Sequence, residues 1–431
     1  MVRPAWYGCI LVKHLVRKEE TVDYGAEYDV YRVRGLYASL SDGWTYLNSH
    51  DCPQIPERVS AAVSRSFRMA PQVPAREFHS GSHSGQSVGR PEGDNLLEAA
   101  RHAVADLVGA SADRVILGAS LPVLYSALVT SMEPQFRYDS SVVVSSLDRC
   151  ELRTAVSRAR AQVRTAHAEL GTGELPSWQY EQLVDGSTRL VSIPAAHAEL
   201  GSVTEVSEIA ERVRSRSRAW VLVDATAYAP YHRIDFDKWD ADIVALDMAA
   251  LGGPQVAALV LRDAAMLKRV DSQVLGIVSA GVAPGLAGGV TAAVDHLAGL
   301  APELPGRGTR RARLDRSMAE MSTYLGGLRD DLYTFLGTWP HVHILGSSGE
   351  AAADATTERL PRLTFGVQGV PAPTVYERLF DNGIVTTLTR PTPLLTDMGL
   401  EEIGGGVTVG LGPFNTYQDI EQVMRVVASL A

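Results

Sequence analysis

Between about residues 110 and 262, short apolar runs rich in β-branched residues alternate with amphipathic stretches. The runs fall at 115–117, 142–145, 190–193, 220–224, 243–246 and 257–261. They are continuously apolar rather than alternating, the pattern of strands covered on both faces. Segments such as 203–213 carry the helical period between them, so the rhythm predicts a mostly parallel sheet with helices on both sides. Ahead of it, Leu96, Leu97, Ala100, Val104, Leu107 and Val108 share one helical face, with Asp94 as the expected cap and Gly109 as the stop. The stretch 64–93 is rich in Ser, Gly, Pro and His and reads as a long loop. Beyond residue 306 the pattern changes. Strands are expected at 363–367 and 407–411, with a helix at 373–380. A last helix after Thr416 aligns Ile420, Val423, Val427 and Leu430.

These patterns divide the chain into an extension at 1–27, the first part of a small domain at 28–59, a large domain at 60–305 and the rest of the small α+β domain at 306–431. The last part begins with an Arg-rich helix near Gly308, whose charges read as a solvated face. Composition narrows the setting. Three cysteines, Cys9, Cys52 and Cys150, cannot build a disulfide framework and point to a reducing cytoplasm. A formal charge of −10 argues against a nucleic acid partner, and no apolar run reaches the length of a membrane span. Only four lysines are present, Lys13, Lys18, Lys238 and Lys268.

Four stretches carry a family likeness: 44–56 (WTYLNSHDCPQIP), 221–230 (VLVDATAYAP), 286–297 (LAGGVTAAVDHL) and 407–416 (VTVGLGPFNT). With the sheet rhythm, they resemble class-V aminotransferases, and within them the cysteine desulfurase-like proteins of an actinobacterial subgroup. The resemblance implies the α/β pyridoxal phosphate (PLP) transferase fold type I and a homodimer whose subunits complete each other's site. It also implies a lysine, in a motif like S-x-[HY]-K after a strand, that carries the cofactor as a Schiff base. Here that segment reads Asp247-Met248-Ala249-Ala250, with Ala250 at the lysine position. A methyl group can neither form the imine nor move a proton.

The remaining positions implied by the resemblance are altered too. Asp247 replaces a phosphate-binding serine; a carboxylate about 4 Å from a phosphate costs roughly 4 kcal/mol per charge pair at an effective dielectric near 20. Pro122 stands in the phosphate-binding turn, where it offers neither hydroxyl nor amide. Arg149 replaces the ring-stacking histidine, Ala198 an asparagine, Ala227 the residue beside the imine, and Ala280 a threonine lent by the partner. Thr408 stands where an arginine would clamp a substrate carboxylate, and no cysteine follows Cys150. Asp224, which would face the pyridine nitrogen, is retained.

The expectation is therefore no PLP and no metal. The main reading is a homodimeric binding or regulatory pseudoenzyme. One alternative is a cofactor-independent acid/base enzyme using Asp224, Asp247 and His197. A second is an aminotransferase or lyase that binds PLP non-covalently. Asp224 and Asp247, ending adjacent strands, suggest an acidic pocket for a cationic or amine ligand, with Arg149 between them as the plainer structural reading. His50, Asp51 and Cys52 are expected to structure an entrance loop. Tyr228 and Tyr231 are expected to pack, and His341 and His343 to share a surface face. The pair His79 and His83 is a weak metal signal, and Cys150 is expected to be a buried thiol.

Overall fold

The computed structural model of the protein describes residues 28–72, 91–302, 308–347 and 357–430. The extension at 1–27 and the pair His79 and His83 lie outside the described residues. Strand β1 (Thr45–Tyr46) belongs to the N-terminal segment. The large sheet comprises β2 (Val115–Gly118), β3 (Ser141–Ser145), β4 (Gln162–Ala166), β5 (Thr188–Pro194), β6 (Trp220–Asp224), β7 (Ile243–Asp247) and β8 (Ala257–Leu261). Its order is β2-β8-β7-β6-β5-β3-β4, and β8 alone runs against the others.

The apolar runs produce this sheet because both faces are buried. Trp220 and Leu222 of β6 enter one core with Leu124, Leu128 and Leu275, while Val221 and Val223 enter the other with Val104, Val213 and Val290. Strand β4 escapes the sequence reading for a physical reason. It pairs on one side only, and its outer residues are exposed, so Gln-Val-Arg-Thr-Ala carries no apolar run. The first large helix starts earlier than expected, at Glu92, with Pro91 rather than Asp94 at its cap, and it stops at Gly109 with φ of 79°.

Part of the expected loop at 64–93 is helical. The helix Glu57–Met69 runs through the expected boundary at 59/60, so the N-terminal segment ends nearer Pro56. This helix packs closely on the helix Pro284–Ala298. Three glycines permit the approach: a Cβ on Gly285, Gly288 or Gly289 would fall 2.4 Å or less from an atom of Phe67, Ser66 or Val63.

The smaller layer is formed by β9 (Val342–Ile344), β10 (Arg362–Val367), β11 (Ile384–Val385), β12 (Thr387–Leu388) and β13 (Val407–Gly410). Four of these pair antiparallel in the order β12-β13-β10-β9. Strand β1 pairs parallel with β11, and Asn48 bridges Gly410, which stitches the N-terminal segment to this domain. The last helix, Tyr417–Ala428, is closed at its start by a capping box between Thr416 and Asp419. The Arg-rich start of the helix Arg310–Gly337 is not simply solvated. Arg310 pairs with Asp106 and Asp295 at 2.7 and 2.8 Å, and Arg311 donates to the carbonyls of Leu107 and Ile234. His341 is exposed and His343 half-buried at the β9 edge.

The tight glycine contact makes a direct prediction. Gly289→Leu should lower unfolding free energy in urea by about 2 kcal/mol, because Val63 and Pro254 leave the side chain no room. Gly326→Ala, in a helix interior with no atom closer than 4.0 Å, should instead raise it by about 0.5–1 kcal/mol.

Candidate functional site

Strands β5, β6 and β7 end on the same edge of the sheet, where α/β proteins usually place their sites. Together with the loop at 49–53 and strands β10, β12 and β13 they enclose a cleft of about 340 Å³. Three arginines line it, Arg149, Arg362 and Arg390, and so do three carboxylates, Asp51, Glu199 and Asp247. The expected acidic pocket is therefore corrected to one of mixed charge.

Asp224 ends β6 and is 7% exposed. Its Oδ2 accepts from Arg149 Nε at 2.9 Å and from the Tyr125 hydroxyl at 2.8 Å; its Oδ1 accepts the amide of Thr226 at 2.9 Å. In return, the Asp224 carboxylate holds the Arg149 guanidinium firmly protonated. Asp224 thus anchors Arg149 from behind and does not itself line the cleft. Arg149 pairs with Asp224 but makes no ion pair with Asp247. Instead, Asp247 accepts the amide of Ala249 at 3.0 Å, and burial raises its carboxyl above the ordinary range.

Next to this pair, Asp148 is buried and accepts from the Ser145 amide at 2.6 Å and the Ser192 hydroxyl at 2.8 Å. Burial lifts its carboxyl to about 6 despite those bonds. His197 is placed differently from the base expected of it. It is buried and does not line the cleft, and its Nδ1 accepts the amides of Glu199 and Leu200, both at 3.1 Å. Burial first, and the nearby Arg362 second, depress it to about 3. It braces a turn.

The other positions fall as follows. Ala250 lies in the short turn Met248–Leu251 after β7 and lines the cleft beside Ala198 and Ala227. Pro122 sits in the first turn of the helix Leu121–Ser131, exposed and away from the cleft lining. Ala280 ends the helix Ser272–Ala280 on the surface. Thr408 is buried, and its hydroxyl joins those of Thr364 and Thr389, each at 2.8 Å. Tyr231 packs, donating to the Leu411 carbonyl. Two expectations are corrected: Cys150 is exposed, and His50 faces the cleft as well as shaping its loop. Burial and Arg362 hold the His50 ring near pKa 3, so it stays neutral.

Several cleft residues went unnoticed in the sequence. Arg362 is 3% exposed, donates to the carbonyls of Ala198 and Ala227, and lies 5.2 Å from the Tyr231 ring centre. The signal was a charged residue opening an apolar strand directly after Pro361. Tyr125, which meets the site through Asp224 rather than by lining the cleft, was a fully buried phenol on a mostly apolar helix. Four buried polar atoms on cleft residues have no protein partner: Ser49 Oγ, His50 Nδ1, Thr226 Oγ1 and Arg362 Nε. Buried groups of this kind are normally satisfied, so the cleft wall carries unmet hydrogen-bonding capacity on four side chains. Among the described residues, no three His, Cys, Asp or Glu side chains are arranged to hold a metal.

The two-domain α/β architecture and its site edge define a PLP-transferase fold type I protein. The family described as aminotransferase class V matches residues 45–276, and the chain belongs to that family. An uncharacterized Mycobacterium tuberculosis protein, MT3887, is 36% identical over 415 residues, covering 94% of this chain and 99% of its own. Cysteine desulfurase IscS 1 of Archaeoglobus fulgidus is 23% identical over 347 residues, covering 77% and 84% of the two chains. Among solved structures, cysteine desulfurase CsdA of Escherichia coli superimposes with a TM-score of 0.72 at 16% identity, over 93% of this chain and 98% of its own.

The residues present do not fit the family's cofactor. Ala250 offers no amine, and neither Lys238 nor Lys268 lines the cleft. Asp224 already spends its oxygens on Arg149, Tyr125 and Thr226. Asp247 brings a negative charge to the turn that would meet a phosphate.

Two measurements check this electrostatic arrangement. Arg149→Ala should cost about 1–2 kcal/mol of stability, discounted because its side chain is 40% exposed, and Asp224→Asn in the same chain should recover part of it. For Asp148, the folded pKa lies above the ordinary 3.8, so its favourable contribution is complete below about pH 4 and lost as pH rises through about 6. Wild type minus Asp148→Asn should show a loss on the order of 3 kcal/mol across that window in urea titrations.

Proposed function

We propose that the protein is a PLP-independent, homodimeric cytoplasmic pseudoenzyme that binds a small polar ligand, in a lysine-less actinobacterial subgroup of its family. The observation that carries this reading is the Arg149–Asp224 pair, which satisfies from within the chain the carboxylate that would otherwise face a cofactor ring. Ala250 supports it by removing the covalent anchor. The homodimer rests on the family resemblance and on the exposed apolar face of the helix Ser272–Ala280, where Ile277 is 74% exposed.

The lining supports a ligand bearing both signs of charge. An amine suits Asp247, as the sequence suggested, and the cleft adds Asp51 and Glu199. An anionic group suits Arg362, whose buried Nε has no protein partner and which forms no ion pair among the described residues. An amino acid-like zwitterion of modest size meets both demands within 340 Å³.

A second reading is a cofactor-independent acid/base enzyme. It is favoured by the raised carboxyl of Asp247 at the cleft wall and by the enzymatic names of relatives such as the Archaeoglobus fulgidus desulfurase. On this reading Asp247 acts without Asp224 or His197, whose bonds hold them elsewhere.

One experiment separates the readings. Purified protein is incubated with excess PLP, desalted and scanned, then melted against a panel of amino acids and amines. The expected result is no retained cofactor, no borohydride-sensitive band at about 400 nm, and a raised melting temperature with zwitterions that Arg362→Ala abolishes. Retained PLP would overturn the proposal in favour of non-covalent cofactor binding. Turnover of a stabilising ligand, lost in Asp247→Asn while binding persists, would establish the second reading.

A further inference from the structure

At the opposite end of the sheet from the cleft, the starts of β5 and β6 border an open groove of about 730 Å³. Six arginines line it: Arg137, Arg189, Arg214, Arg216, Arg218 and Arg269. Only Arg214 is neutralised, by Asp240 at 3.2 Å and Asp242 at 2.6 Å. Among the described residues, the other five have no carboxylate within ion-pair distance, in a chain whose formal charge is −10. Elsewhere on this surface arginines do find acids: Arg164, Arg212, Arg233 and Arg262 each hold one. Five unneutralised cations in one concavity repel one another and concentrate anions there.

Helix stabilisation explains part of the cluster only. Arg214 and Arg216 lie in the last turn of the helix Val206–Arg216, where cations favour the helix dipole. Arg137, Arg189, Arg218 and Arg269 come from four other segments. Two of the five are held in place before any ligand arrives. Arg189 donates to the carbonyls of Gly186 and Thr188, and Arg269 lies 5.5 Å from the centre of the buried Trp220 ring. Guanidinium forks gathered in one concavity can match phosphate oxygens in pairs.

We propose that this groove is a second binding site, independent of the cleft, for a compact oligophosphate. The neutral part of its lining is Ser, Thr, Gly, Gln and Pro, with no aromatic or large aliphatic side chain. It therefore offers no platform for stacking a base and no pocket for an apolar body, so recognition falls on the phosphates themselves. Its lining is one compact patch rather than an extended stripe, which separates it from a nucleic acid track.

The test is calorimetric titration of the full chain with sodium tripolyphosphate at 150 mM salt, beside orthophosphate, an oligoglutamate peptide and a short oligouridylate. One tripolyphosphate per chain is expected, at least tenfold tighter than orthophosphate and weaker at higher salt. Arg216→Glu with Arg218→Glu should loosen it at least thirtyfold; both side chains are exposed, so the fold should hold, with the melting temperature falling by a few degrees at most from the reversed charge at the helix C-terminus. Should that variant misfold, Arg137→Glu, on a separate segment, carries the same expectation of at least tenfold weakening. Equal affinity for tripolyphosphate and orthophosphate would reduce the groove to general anion attraction and overturn the proposal. Tighter binding of the peptide or the oligouridylate, or an unchanged affinity in the variants, would overturn it as well. None of these results bears on the cleft.

Discussion

A carboxylate at the buried end of a central strand must be satisfied by something, and in this protein the partner is Arg149. Asp224 is nearly inaccessible, and leaving it bare would cost several kcal/mol. The chain answers with a guanidinium, a tyrosine hydroxyl and a backbone amide, all from the large domain. That solution reaches outward. It commits Arg149 to Asp224, and among the described residues Asp247 forms no ion pair, feeling Arg149 only at longer range.

The cleft then takes its character from the small domain. Arg362 enters from β10 and hangs on carbonyls of the large domain, so its position depends on both halves of the molecule. His50 is held against Gly410, where a Cβ would approach its Nδ1 to 2.4 Å. A threonine ladder through Thr364, Thr408 and Thr389 occupies the strands where a carboxylate clamp was sought. Both domains thus contribute groups to the cleft, and its chemistry follows from those side chains rather than from the fold alone.

Much of this was legible along the chain. Strands β6 and β8 match their apolar runs end for end, because two-sided burial leaves a continuous signature. The edge strand β4 was invisible because half of it faces water. Glu57–Met69 was hidden in part because its polar face and Ser-rich turns look like loop composition, while its packing depends on glycines more than 200 residues away. At the site, Ala250 and the scarcity of lysine could be read directly, since the absence of an amine needs no coordinates. Arg362 and Tyr125 could not be joined to the site, because nothing local tells which strand end or helix face will meet Asp224.

The order of residues alone therefore determined the secondary-structure rhythm, the two-domain plan and the presence of alanine rather than lysine at position 250, all of which depend on local periodicity or on side-chain identity. Only the tertiary structure decided which charges meet. It set Arg149 on Asp224, turned His197 into a turn brace, replaced the expected acidic pocket with a mixed one and gathered five arginines at the far end of the sheet. Coulomb and hydrogen-bond energies fall away over a few ångströms, and those distances are settled by segments far apart in the chain.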